Sequence, residues 1–112
     1  MPYKDIAKRN AQSNQWQKDN PRKVYAATIL RLYGITIEEY DAMFIVQDGK
    51  CAICGSENII DGKRKMLCVD HDHKTRKIRG LLCRDCNLAL GHIKDSPTIA
   101  LKIADYLNAL IV

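Results

Sequence analysis

Two cysteine pairs, Cys51-x2-Cys54 and Cys83-x2-Cys86, stand 28 residues apart (residues 55–82) in a chain of 112. Two residues between cysteines let a tight turn aim both thiolates at one point, and two such knuckles make the tetrahedral four-sulfur shell that zinc favours. The constraint is severe. Wherever else the chain goes, residues 51 and 54 must return to residues 83 and 86. The 28 residues between them exceed a minimal ribbon and must form structure of their own. A thioredoxin-like redox pair would place one Cys-x2-Cys in a βαβ context, and that context is missing here. In so short a chain the ion carries much of the folding free energy.

The fifth cysteine, Cys68, is left over and reads as a buried strand thiol acting as a small hydrophobe. The N-terminus, MPYKDIAKRNAQ, has no apolar segment of the signal-peptide kind, and no apolar run reaches the roughly 20 residues that span a bilayer. A reducing cytosol is the expected compartment, where cysteines serve as metal ligands before disulfides.

The chain carries 18 Lys+Arg against 13 Asp+Glu, with a pI near 9.0, which fits a polyanionic partner. The positive charge falls in two blocks, residues 1–31 and 63–84, around an acidic stretch at 35–48. The length favours a single domain, 1–112, in three parts: a basic helical region at 1–50, a zinc-bound core at 51–93 and a C-terminal helix at 94–112.

Local signals fill in the elements. PRKVYAATILRLYG predicts a helix from Pro21 closed by Gly34, with Val24, Ala27, Leu30 and Tyr33 at helical spacing. Thr36 and Glu39 match a capping box that opens a second helix, with Ile37, Tyr40, Phe44 and Ile45 as its buried stripe. KMLCVDHD and IRGLLC read as two strands of a hairpin around HKTRK, and RDCNLALGHI as a short helix. Ser96 and Pro97 start an amphipathic helix with Ile99, Ile103, Tyr106 and Leu110 on one face, packed on the domain or on a second copy. Residues 3–18 suit a helix or an arm. Trp16 and Tyr25 read as core or interface groups.

VDHDHKTRKIRG, between the knuckles, and Asn87, beside Cys86, hold the groups a packed core does not need. Asp70 and His71 end the incoming strand. A helix opened at Cys86 turns Asn87 about 100° away, so one faces zinc and the other a neighbouring site. An Asp carboxylate with an Asn carbonyl is a hard oxygen pair that suits Mg2+ or Mn2+. A histidine beside it can take a proton from water. Lys74, Arg76, Lys77 and Arg79 flank the site as phosphate contacts. Asp72 alternates away toward solvent, and His92 suits a helix C-terminus.

The order Cys-x2-Cys, Asp-His-Asp-His, Arg-Gly-Leu-Leu-Cys-x2-Cys-Asn resembles the phage recombination endonuclease VII family, a branch of the HNH (ββα-metal) nucleases. YGITIEEYDAMFIVQDGKCAICG also resembles the helix those proteins place before the first knuckle. The resemblance implies an α+β fold with a ββα-metal core stapled by Cys51, Cys54, Cys83 and Cys86, flanked by N-terminal helices and a C-terminal helix. It implies a DNA endonuclease in which Asp70 and Asn87 bind the catalytic Mg2+ or Mn2+ and His71 is the general base. His73 matches a second family histidine at the scissile phosphate, and cleavage leaves a 5′ phosphate and a 3′ hydroxyl. The expected setting is a phage or prophage protein in the host cytoplasm. Junction-resolving relatives carry a longer C-terminal region for an intertwined dimer, so duplex nicking by a monomer or a looser homodimer stands beside branched-DNA cleavage. The competing reading is a non-catalytic zinc-ribbon nucleic-acid binder. A weaker third is a protein–protein adaptor using the C-terminal helix.

Overall fold

The computed structural model describes residues 14–109. The chain is α+β and falls into two compact units, Met1–Asp41 and Ala42–Val112, with the boundary inside a helix.

In the first unit, a helix α1 covers residues 14–19 of the described part. Helix α2 follows over Pro21–Tyr33. Pro21 sits at its first position, and Gly34, at φ 72°, donates its N–H to the Leu30 carbonyl. The left-handed cap is why glycine ends this helix. The predicted boundaries hold, and the buried face holds in part, with Val24 and Tyr33 half-buried. Ile29 is buried while Ala27 and Leu30 are exposed, so the inward stripe runs Tyr25, Ile29, Tyr33. Tyr25 meets Tyr40 edge to face, centroids 5.6 Å apart. Trp16, expected in a core or interface, is half exposed.

Helix α3 (Ile37–Val46) opens with the expected reciprocal capping box: Thr36 N–H donates to Glu39 Oε1 and Glu39 N–H to Thr36 Oγ1, both at 3.1 Å. Of its predicted stripe, Tyr40 is buried and Ile37 and Phe44 are half-buried, whereas Ile45 is 75% exposed. Phe44 takes the inward position, and Ile45, 100° further round, turns to water.

The second unit is built on two hairpins. Strands β1 (Ile59–Ile60) and β2 (Lys63–Arg64) are antiparallel around Asp61-Gly62, both with positive φ. This hairpin was not expected, although Asp-Gly between Ile-Ile and basic residues is its usual two-residue turn signal. Arg64 lies over the Phe44 ring and donates to the Gly49 carbonyl, so this cation is structural. Strands β3 (Cys68–His71) and β4 (Ile78–Leu82) form the predicted second hairpin. Leu67, Val69, Leu81 and Leu82 are its core. Gln47 clips the outer side of β4 like a strand neighbour. Its amide accepts from Leu81 N–H at 2.9 Å and donates to the Leu81 carbonyl at 2.9 Å.

Helix α4 (Arg84–His92) packs on β3 and β4. Helix α5 (Pro97–Asn108) begins as predicted, with Ser96 Oγ accepting from Ile99 N–H. All its residues are exposed, including Ile99, Ile103 and Tyr106, so of the two expected partners, the domain or a second copy, the domain does not cover it among the described residues. Leu110 lies outside them.

Asn58 ties this unit together. It is buried, with φ 59°, and its amide donates to the Met66 and Lys65 carbonyls while accepting the Arg84 N–H at the head of α4. Asn58→Ala strands the Arg84 donor and the Met66 acceptor and puts alanine in a left-handed conformation that asparagine tolerates better. A loss of about 3 kcal/mol is expected from these unsatisfied groups, or a fall in Tm of roughly 10–20 °C by thermal denaturation of the zinc-loaded protein.

Candidate metal centre and adjoining polar cluster

Cys51 and Cys54 sit on the turn after α3, and Cys83 and Cys86 sit at the head of α4. The β3–β4 hairpin brings the two pairs together, because Ala52 N–H donates to the Leu81 carbonyl at 3.0 Å. The four Sγ atoms lie within 4.8 Å of one another, and Cys54 and Cys83 are 3.6 Å apart. A zinc–sulfur bond of about 2.3 Å gives a tetrahedral edge of about 3.8 Å, so the thiols fit zinc. Backbone N–H groups already point at the sulfurs: Ile53 at Cys51, Ser56 at Cys54 and Cys86 at Cys83, each at 3.4 Å. Such donors favour thiolate.

The thiols divide in character. Hydrogen bonds from Ser56 and from the Cys83 sulfur bring Cys54 down to about 6. Burial pushes Cys51 up, but backbone donors outweigh it and leave the thiol below its ordinary value. Burial and its neighbours' sulfurs push Cys86 well up. Zinc binding therefore releases the proton held by Cys86. Cys68 lies outside the set, half-buried, its thiol raised chiefly by burial. Among the described residues, this is the one cluster of three or more Cys, His, Asp or Glu groups with metal-binding spacing.

Beside it stands a second polar cluster. Asp70 is only 8% exposed. It pairs with Gly80 across the hairpin, while His71 pairs with Ile78, so Arg79 falls in a bulge. A bulge re-aims a side chain, and here Arg79 comes back on Asp70 as a two-pronged fork: Nε to Oδ2 at 2.7 Å and Nη2 to Oδ1 at 3.0 Å. Asp70 and Asp95 hold the Arg79 guanidinium above its ordinary pKa, Asp70 foremost. Gly80 is glycine for room, since a Cβ there would press on the Gln47 Oε1 at 3.3 Å.

Arg79 Nη2 also reaches Asp95 Oδ2 at 3.3 Å, and His73 Nε2 reaches the same oxygen at 3.3 Å. The His71 and His73 rings meet at 4.7 Å, inclined by 62°. The structure thus joins Asp70, His71, His73, Arg79 and Asp95. Four of these were singled out from sequence; Asp95 was not. Its signal was faint, an aspartate in a loop before a proline-started helix. Its backbone is less ordinary, for Lys94 and Asp95 have φ values of 56° and 54° in succession. Left-handed backbone costs a non-glycine residue roughly 1–2 kcal/mol.

Arg79 was expected on phosphate but is engaged within the protein by two carboxylates. Lys74, Arg76 and Lys77 are exposed on the turn between β3 and β4. Asp72 builds that turn by accepting from Lys74 and Thr75 N–H groups, which lower its pKa. Asn87 lies half-buried on α4, its N–H donating to the Cys83 carbonyl. No helix among the described residues is long and apolar enough to cross a membrane.

Among known proteins, residues 26–109 match the family of recombination endonuclease VII. The chain is 51% identical to the Gene 59 protein of Mycobacterium phage D29 over 81 residues, 71% of this chain and 47% of that protein. It is 46% identical to the Gene 59 protein of Mycobacterium phage L5 over 80 residues, 70% of this chain and 47% of that one. It thus spans about half the length of these curated relatives. No solved structure matches it. With three-quarters of its residues inside the family match, the chain belongs to the recombination endonuclease VII family.

Proposed function

We propose that this chain is a metal-dependent DNA endonuclease of the HNH type, hydrolysing phosphodiester bonds. The reading is carried by one observation: a thiol cluster of zinc geometry adjoining Asp70 and His71 inside the matched segment. The β3–β4 hairpin and α4 would be the ββα core.

Asp70 and Asn87 offer hard oxygen donors for Mg2+ or Mn2+. A carboxylate has about four lone-pair sites and the Arg79 fork uses two, so Asp70 retains capacity for an ion. When bound, the ion would supply positive charge against the charge that develops at the phosphorus. His71 takes the proton from the attacking water as general base. His73, held at one nitrogen by Asp95, turns its other face to the scissile phosphate. Lys74, Arg76 and Lys77 meet backbone phosphates, with Arg79 at the inner edge of that strip. The substrate is duplex or branched DNA, met in the infected cell and bound by a monomer or a homodimer.

Supercoiled plasmid incubated with Mg2+ or Mn2+ is expected to give nicked circles, and leaving both ions out of the zinc-loaded protein's buffer should stop the reaction. Plasmid left intact at every ion concentration would sink the proposal. The Arg79 fork on Asp70 gives a second reading its footing, since a purely structural carboxylate would be held in the same way. A non-catalytic binder would show salt-sensitive DNA binding indifferent to Mg2+, with a slope set by the phosphates it contacts.

A further inference from the structure

We infer that Arg79 and Asp95 are positioning residues that set the ion affinity of Asp70 in opposite directions. This rests on the nuclease reading above and concerns residues to which that reading gives no such role. Arg79 spans the two carboxylates, with two prongs on Asp70 and one donor shared with Asp95. The Asp95 side chain is 17% exposed and that of Arg79 37% exposed, so their charges are partly shielded from water. Asp95 Oδ2 is the hub, receiving both Arg79 Nη2 and His73 Nε2. Two successive left-handed residues, Lys94 and Asp95, close α4, with the Asp95 N–H on the Leu90 carbonyl at 2.9 Å, and so carry the carboxylate to this place.

The signs follow from charge. Asp70, Asp95 and Arg79 together carry a net charge of −1. Removing the guanidinium leaves −2 facing a divalent cation and frees both Asp70 oxygens, so the ion binds more tightly. Removing the Asp95 charge leaves zero and gives Arg79 wholly to Asp70, so the ion binds more weakly. Either change also loosens the orientation of Asp70, and losses of outer-shell partners commonly cost 10–100-fold. Arg79 therefore trades ion affinity for orientation, and Asp95 draws part of the guanidinium away from Asp70.

The test is Mn2+ binding, followed by electron paramagnetic resonance, to the full zinc-loaded chain, in parallel with plasmid nicking. Asparagine is well tolerated at left-handed φ, so Asp95→Asn removes charge without backbone strain. Arg79→Gln should bind Mn2+ about tenfold more tightly than wild type, and Asp95→Asn about tenfold more weakly. Both should nick at least tenfold more slowly, with KM for DNA within about twofold in Asp95→Asn. Arg79→Lys keeps the charge but not the fork, so its Mn2+ affinity should stay near wild type while its nicking falls. Affinities that shift in the same direction, or by less than twofold, would overturn the proposal. So would loss of zinc or of the thermal transition in Asp95→Asn, which would make its role structural. Wild type that binds Mn2+ without these opposite shifts refutes this inference alone. Wild type that neither binds Mn2+ nor nicks plasmid refutes the nuclease reading and this inference with it.

Discussion

Stripping the zinc, or replacing Cys83, is expected to unfold the Ala42–Val112 unit outright. Its aliphatic core rests on Leu67, Val69, Leu81 and Leu82, with the rest of the unit in turns, two short hairpins and helices that present little apolar surface inward. Structural zinc in small modules is worth about 10–16 kcal/mol at neutral pH, as much as the whole stability of an ordinary domain, roughly 5–15 kcal/mol. Cys83 is a damaging loss because its sulfur also caps a helix. It is a thiolate of the set, and as N-cap of α4 it accepts the Cys86 N–H. Cys83→Ser should therefore abolish the cooperative thermal transition and the bound zinc. Cys68→Ala, outside the set, should keep both, at the ordinary cost of a half-buried thiol. The pH dependence has a definite sign. All four ligands bind as thiolates, so zinc retention against a chelator rises with pH. Zinc release by a colorimetric chelator, measured from pH 5 to pH 8 beside circular dichroism, checks both. A folded, zinc-free unit would contradict the account.

How far the sequence reached can be judged element by element. Turn and cap chemistry was legible because it is local. Pro21, Gly34, the Thr36–Glu39 box, Ser96 and the two cysteine knuckles each act within four residues, and each appears where expected. Which way a helix faces was less legible. Helix α2 buries Ile29 and half-buries Tyr25 beside the expected Val24 and Tyr33, while Ala27 and Leu30 turn out, because the apolar residues of ATILRLY surround the helix and periodicity alone gives no phase. The polar cluster needed tertiary information. Nothing in IRGLLC reveals that a bulge at Arg79 returns its side chain to Asp70, or that Asp95, sixteen residues further on, meets the same guanidinium. Asn58 was hidden for the same reason, since its three partners come from two separate stretches of chain.

His71→Ala is expected to reduce plasmid nicking by about three orders of magnitude, within the range of a lost general base and equivalent to about 4 kcal/mol of transition-state stabilisation. The structural cost should be slight. His71 ends β3, paired with Ile78 at the bulge, is only half-buried and lies outside the thiol set. Zinc content and Tm should thus remain close to wild type, unlike Cys83→Ser. DNA affinity and its salt slope should also persist, because Lys74, Arg76 and Lys77 are untouched on their exposed turn. Asp70→Ala makes the informative contrast. It removes the partner of a two-pronged ion pair in a buried position, so a stability loss accompanies the loss of activity. Asp70→Asn keeps the volume and one acceptor for Arg79, and separates the two effects. Added imidazole should restore part of the His71→Ala rate by entering the vacated space, and should do nothing for Asp70→Asn. A His71→Ala protein that nicks at the wild-type rate would remove the general base from this site, and the Arg79 fork on Asp70 would then stand as the mark of a binder rather than an enzyme.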